Sequence, residues 1–230
     1  MPLQMALDEI LFRGVENGNS ETFFPFDLPI FRIFFSSEPW VTVGYSHDLS
    51  RIPNPEFRIP VCRRMTGGGI VEHGRDLIFS IVARKTDDES FKSVRLAYLK
   101  IHEAVKAAFE AGGLRPRFYR CDENLPRGRE CFGFPIATDL ALGDKKVAGG
   151  AQKRSSGALL HQESIQDVHG LDLFDLAAAL RLSFEKTFDI QFKPLDLDPR
   201  LLEQARVLAD EKYIVIPAKA GIHFNGTSNL

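Results

Sequence analysis

Arg63-Arg64-Met65-Thr66-Gly67-Gly68-Gly69-Ile70-Val71-Glu72-His73 is the stretch from which the rest of the chain can be organised. Three consecutive glycines lose more backbone entropy on folding than any other tripeptide, so a chain that keeps them needs the backbone to come close to something. With no side chains in the way, successive N–H groups can turn toward an anion or a carbonyl oxygen and form a nest. Arg63 or Arg64 would add a planar charged fork beside it. The plain alternative is a glycine turn between two strands with its arginines in water, and a Gly-rich run alone does not decide between the two.

Working back from this loop, Ile59 to Cys62 leads into it as a short strand, and Pro53, Pro55 and Pro60 keep the preceding stretch extended. Ile30 to Phe35 and Val41 to Gly44 read as strands, with residues 36–39 turning between them. Asn17 to Pro29 is a polar and aromatic loop. Leu7, Ile10 and Leu11 recur at helical spacing with Asp8 and Glu9 facing away, so the chain opens with a short amphipathic helix. Leu77 to Ala83, past the loop, is apolar enough for a central strand. The glycines and His73 then stand at the crest of a strand–loop–strand unit.

Further on, Ser93 to Ala111 is the clearest helix. Val94, Tyr98, Ile101, Val105 and Ala108 form one stripe, Gly112-Gly113 ends it, and His102 beside the stripe reads as structural or exposed. Arg117 to Arg120 reads as a strand, 122–130 as an irregular loop, and Pro135 to Leu142 and Lys146 to Ala148 as strands joined at Gly143-Asp144-Lys145. Gly149-Gly150-Ala151 and Ser155-Ser156-Gly157 bracket a short basic segment before a strand from Ala158 to His161. Two more amphipathic helices follow, one through Leu173, Leu176, Ala177, Leu180 and Phe184 and one through Leu201, Leu202, Ala205 and Leu208. The elements interleave without a βαβ rhythm, which indicates an α+β domain over residues 1–213 with a mixed, largely antiparallel sheet and packed helices. Residues 214–230 read as a disordered tail, and the Val-Ile-Pro-Ala-Lys-Ala-Gly-Ile-His phrase within it resembles translated intergenic repeat DNA, as in a read-through extension.

Composition narrows the function classes. A formal net charge of −2 gives no reason to expect nucleic acid or an anionic membrane surface, and no apolar run approaches the ~18 residues that span a bilayer. No basic region followed by an apolar segment opens the chain, so no export signal is expected and the cytoplasm is. Cys62, Cys121 and Cys131 are odd in number and lack CxxC spacing, which fits free thiols better than disulfides or zinc. The six histidines show no metal-ligand pair at helical spacing, so no metal is expected. Residues 115–154 carry nine Lys/Arg against five Asp/Glu, a basic middle in a slightly acidic protein.

Two further segments bear on the loop. Asp144-Lys145-Lys146-Val147-Ala148-Gly149-Gly150-Ala151-Gln152 leads a lysine into paired glycines, where an ammonium can meet a polarised carbonyl; the plain alternative is a turn lysine in water. Cys131-Phe132-Gly133-Phe134-Pro135, followed by Asp139-Leu140, holds either a small core cysteine or, beside Lys146 or the arginines, a nucleophile.

Arg-Arg-x-Thr-Gly-Gly-Gly-x-Val-x-His and Lys-Lys-Val-Ala-Gly-Gly-Ala-Gln together resemble the lipoate–protein ligase and octanoyltransferase family, which shares its catalytic domain with biotin–protein ligases. The resemblance runs from Met5-Ala6-Leu7-Asp8-Glu9 to Lys212-Tyr213. It implies attachment of lipoate or octanoate in amide linkage to a lysine of a lipoyl carrier domain, in 2-oxoacid dehydrogenases or the glycine cleavage H protein. The glycine loop and its arginine would hold the acyl carboxyl end or the acyl-adenylate, and Lys146 would contact the reacting carbonyl. On this resemblance Cys131 and Lys146 are expected to be catalytic. Arg64, Thr66, Gly67, Gly68, Gly69, His73, Gly149, Gly150 and His161 are expected to contact substrate.

The family holds two chemistries. Ligases activate the free acid with ATP and Mg²⁺, often helped by a small C-terminal domain; transferases take octanoyl from acyl carrier protein through a cysteine thioester and need no cofactor. Cys131 before Pro-x-x-x-Asp-Leu matches the acyl-cysteine of one octanoyltransferase branch, and no accessory domain follows Tyr213, which favours the transferase. The unbroken Thr-Gly-Gly-Gly also occurs in ligases. Gly74 stands where many members have an aspartate, so the motif does not identify the pocket's acid partner. The strand that usually precedes Met5 has no counterpart, as expected of a misassigned start or a trimmed domain. A non-catalytic acyl- or carrier-binding homologue and biotin transfer are the other readings.

Overall fold

The computed structural model describes residues 1–18, 28–36, 38–49, 59–119, 137–166, 168 and 170–213. Pro2–Asn17 forms helix α1, started by Pro2 at its first turn, where a missing N–H costs nothing, and ended by Gly18 in the left-handed conformation. Strands β1 (Ile30–Ser36), β2 (Trp40–Val43), β3 (Val61–Arg63), β4 (Ile70–His73) and β5 (Asp76–Arg84) follow. Helix α2 (Val94–Ala111) is capped by the Ser93 side chain. Then come β6 (Arg117–Phe118), β7 (Leu140–Leu142), β8 (Lys145–Arg154) and β9 (Ala158–Ile165). Helices α3 (Leu173–Phe188) and α4 (Pro199–Leu208) and a π-helical turn, Ala209–Tyr213, complete the described chain.

Six strands lie in the order β1-β5-β9-β8-β7-β6, every adjacent pair antiparallel. A second sheet, β3-β2-β4, pairs β2 parallel to β3 and antiparallel to β4. The expected mixed, largely antiparallel α+β fold is therefore what forms. The large sheet is covered on both faces. Leu77, Phe79 and Ile81 of β5 pack with Ile101 and Val105 of α2 and Leu180 and Phe184 of α3. Val82 and Leu160 face the other way, onto Leu7, Leu11 and Phe12 of α1 and Leu201 and Ala205 of α4. The period-2 alternation of β5 and β9 is thus divided between two cores, which is why both strands are buried along nearly their whole length. Among the described residues no helix is long and apolar enough to cross a membrane.

Several sequence expectations need correction. Asp8 and Glu9 do not face solvent: both are buried in the α1 interface. Val94 opens the stripe of α2 but is exposed, because the helix meets the sheet only from Ala97 onward. The residues after the glycine loop, Ile70–His73, form a strand of their own. β8 does not stop at Ala148 but runs through Gly149-Gly150 to Arg154. The Asp122 to Glu130 loop and the tail at 214–230 lie outside the described residues, as do Cys121 and Cys131.

Candidate active site

The glycine loop links β3 to β4 in the small sheet and leans against the loop after β2. A Cβ on Gly44 would lie 2.0 Å from the Gly68 carbonyl oxygen, so the close backbone approach that three glycines implied is to Gly44. Gly68 has φ 93°, a conformation that side chains resist, whereas a Cβ on Gly67 would meet nothing within 4 Å. Backbone bonds from Gly44 N to Gly69 O (3.2 Å) and from Tyr45 N to Thr66 O (2.9 Å) lace the two segments together.

Both arginines hold this turn in shape. Buried Arg64 donates to the Gly67 and Gly69 carbonyls at 2.8 and 2.9 Å and to Thr42 Oγ1 at 3.3 Å. Arg63 donates to the carbonyls of Gly44, Tyr45 and His47 at 2.7–3.0 Å. The Arg64 fork that the sequence offered to a ligand carboxylate is therefore aimed into the loop. With the carbonyls turned toward the guanidiniums, no acceptor among the described residues takes an N–H of Gly67, Gly68 or Gly69. Such open N–H groups are the donors that an anion-binding nest would use.

Thr66 is wholly buried and donates to Gln162 Oε1 at 2.7 Å, fixing the loop to β9. Gln162 Nε2 in turn donates to Asp8 Oδ2 at 2.7 Å, and the other Asp8 oxygen accepts from Ser80 at 2.6 Å and from Arg32. His73, at the end of β4, lies 2.6 Å from Asp76 Oδ2 through Nδ1 and 2.8 Å from Thr42 Oγ1 through Nε2. The carboxylate can only accept, so Nδ1 carries the proton and Nε2 accepts from Thr42. Asp76 thus supplies the acid partner that Gly74 does not. It also accepts from Ser164 (2.8 Å), Gln166 (2.7 Å) and Gly74 N (2.9 Å). Burial pushes its carboxyl up, but His73 and these donors outweigh burial and hold it below its ordinary value.

Lys146 is buried, paired with Asp139 at 2.8 Å, and lies so close to Gly149 that a Cβ there would be 2.3 Å from Nζ. The glycine is required because the ammonium occupies the space of its side chain. Gly149 lines a cavity of about 40 Å³ together with Arg64, Thr42, His73, Met5 and Gln162, and the Lys146 head packs against that glycine. His73 and Asp76 also line an adjoining hollow of about 590 Å³ with Arg75, Gln166 and Leu171.

His161 does not join this group. It points to the opposite side of β9, where its Nε2 lies 2.8 Å from Glu163 and the same carboxylate oxygen lies 3.0 Å from Nε2 of His102. All three side chains are wholly buried, so His102 is neither exposed nor incidental. Burial opposes the charge on Glu163, yet the two histidines outweigh it and hold the carboxyl at about 2. His102 is raised despite its burial, and His161 is lowered by burial. A Cβ on Gly150 would meet this group, and its backbone also lines the small cavity beside Gly149, Arg64 and His73. Among the described cysteines, Cys62 is wholly buried, and burial pushes its thiol up to about 12, so it is not a nucleophile at neutral pH.

Sequence reasoning missed Thr42, Asp76 and Gln162, which touch the loop or His73, and Asp8, which braces Gln162. Asp76, three residues beyond His73, and Gln162, next to His161, stood near a motif.

The chain is an α+β domain whose small pocket gathers Arg64, His73 and Gly149. Residues 2–182 match the family model of the lipoyl protein ligase A/B catalytic domain, and the chain belongs to that family. It is 28% identical to octanoyltransferase LipM of Bacillus cereus over 91% of this chain and 90% of that protein. It is 31% identical to LipM of Bacillus subtilis over 90% of this chain and 76% of that protein. A crystal structure of lipoate-protein ligase A bound with ATP superposes with a TM-score of 0.73 at 22% identity, covering 92% of this chain and 90% of the other, a likeness of fold.

Proposed function

We propose that this chain transfers octanoyl or lipoyl groups onto a lysine of lipoyl carrier domains through an acyl thioester on Cys131. The reading is supported by a buried ammonium, Lys146, packed against Gly149, a glycine that lines one small cavity with His73 and with Arg64, whose guanidinium shapes the glycine loop. Such donors stabilise the oxyanion that develops in acyl transfer.

In the first step the Cys131 thiolate attacks the carbonyl carbon of an octanoyl thioester on acyl carrier protein. The tetrahedral oxyanion, stabilised by Lys146 and the loop N–H groups, collapses, and the C–S bond to the carrier breaks. The carrier thiolate leaves and takes up a proton. In the second step the neutral amine of the carrier-domain lysine attacks acyl-Cys131, loses a proton, and expels the cysteine thiolate as the amide forms. Asp139 keeps the Lys146 head against Gly149 in both steps. The hollow beside His73 gives room for the thioester and then the lysine to approach. The basic segment Arg115 to Arg129 would steer an acidic carrier protein. No ATP enters this cytoplasmic route. The acceptors are the lipoyl domains of 2-oxoacid dehydrogenases or the glycine cleavage H protein.

The test is mass spectrometry of an apo lipoyl domain incubated with the protein and either octanoyl-carrier protein, or octanoate with ATP and Mg²⁺. Octanoylation in the first tube with an adduct on Cys131 is expected. Transfer in the second tube alone makes the protein a ligase, and binding without transfer in either makes it a non-catalytic homologue.

A further inference from the structure

On the face of β9 away from the glycine loop, His102, His161 and Glu163 are wholly buried, and one donor atom of each lies within 4.8 Å of the other two. We propose that these three side chains bind one zinc-class divalent ion, which ties α2 to β9 behind the strand that carries Gly149 and Gly150.

Two imidazoles and a carboxylate are a donor set suited to zinc. Both Nε2 atoms aim at Glu163 Oε2, at 3.0 and 2.8 Å. These separations are a few tenths of an ångström below the edge of a tetrahedron with bonds of ~2.1 Å, so small ring rotations open the site. His102 Nδ1 donates to the Thr138 carbonyl. That outer bond keeps a proton on Nδ1 and aims Nε2 inward, the orientation of a metal-bound histidine; Nε2 gives up the proton it shares with Glu163 when the ion binds. Glu163 Oε1 is buried with no hydrogen-bond partner, an exception that calls for an explanation. A bidentate carboxylate uses that oxygen and raises the donor count to four.

Gly150 keeps the donors uncovered, since a Cβ there would lie 2.2 Å from Glu163 Oε2 and 2.7 Å from His161 Nε2. One adjustment accompanies binding. Gln152 Nε2 lies 3.2 Å from His161 Nδ1 and its Oε1 accepts from Arg154. With the ion on Nε2, His161 Nδ1 carries the proton and the amide turns over to accept it, while Arg154 keeps the Phe91 carbonyl. The site is independent of the acyl-transfer reading, because neither the glycine loop nor Lys146 supplies a donor.

The test uses the full chain, freed of metal by chelator, and titrates Zn²⁺ by calorimetry and thermal melting and Co²⁺ by visible absorption. One equivalent per chain, a raised Tm and the absorption of four-coordinate cobalt are expected. Glu163→Gln and His161→Gln should each lose more than about 100-fold in affinity, beyond what an outer partner contributes. Nitrogen-15 NMR of the wild-type histidines reads the site even where a variant fails to fold, and zinc should move the Nε2 resonances of His102 and His161 together. No stoichiometric uptake, uptake unchanged in both variants, or a doubly protonated His102 that zinc leaves unmoved would each overturn the proposal. The group would then be an imidazolium–carboxylate pair.

Discussion

Thr66 reaches across 96 residues of sequence to donate its hydroxyl to Gln162 Oε1, and this bond joins the glycine loop of the small sheet to the interior of the large one. Both partners are buried, so removing the donor leaves an acceptor without water or a partner. Thr66→Val should lower unfolding free energy by about 1–3 kcal/mol and weaken acyl transfer, while Thr66→Ser keeps both near wild type. Urea denaturation checks the first part; equal stability of the valine and serine variants would remove the argument.

The glycines of the site are not interchangeable. Gly44→Ala drives a Cβ into the Gly68 carbonyl, and Gly68→Ala places a side chain at φ 93°, a strain of about 1–3 kcal/mol. Gly67→Ala meets open space and should stay within about 0.5 kcal/mol of wild type. Parallel melting curves of the three variants should fall in that order, with Gly67→Ala uppermost.

Buried Lys146 and Asp139 form a pair whose members depend on one another. Asp139→Ala leaves the ammonium without its counter-charge and should cost about 3–5 kcal/mol. Lys146→Met strands the buried Asp139 carboxylate in turn and should cost a similar amount, whereas Lys146→Met combined with Asp139→Asn removes both charges and should fold better than either single variant while transferring no acyl group. A Lys146→Met enzyme with wild-type turnover would remove the lysine from the mechanism.

Acid should weaken the His73–Asp76 bond. The Asp76 carboxyl is held below its ordinary 3.8, so its contribution to stability is full above 3.8 and is lost as pH falls through the lower folded value. Asp76→Asn removes that dependence. Unfolding free energies measured from pH 6 downward should therefore decline less steeply below about pH 4 in the variant than in wild type. Superimposable slopes would mean that the carboxyl titrates alike in both states.

Two of the three cysteines, Cys62 and Cys131, should differ in reactivity. Cys62, buried and pushed up to about 12, should resist alkylation at pH 8 until the protein unfolds. Octanoyl-carrier protein should acylate the wild type and Cys62→Ser, but not Cys131→Ser. An adduct that survives in Cys131→Ser would move the nucleophile elsewhere.

What could be read ahead of the structure was what repeats at short range. The α2 stripe and the apolar run of β5 are local patterns, and their elements formed where expected. Gly149-Gly150 looked like a break because paired glycines usually end strands. Here they stay extended, because the Lys146 side chain and the His161–Glu163 pair occupy the volumes where their Cβ atoms would lie. Asp8 and Glu9 looked solvent-facing because they are charged. Their partners, Arg32, Ser80, Gln162, Lys212 and Tyr213, come from elements that no periodicity connects to α1. The glycine motif marked the pocket, but its sequence could not show that both arginines face inward.

Glu9 clasps Lys212 and Tyr213, while its neighbour Asp8 braces Gln162 behind the glycine loop. Two adjacent residues of the first helix thus link the last described turn to the strand residue that holds the glycine loop. A truncation or substitution near Tyr213 should register as poorer substrate affinity before it registers as unfolding, although no atom of that turn lines the cavity.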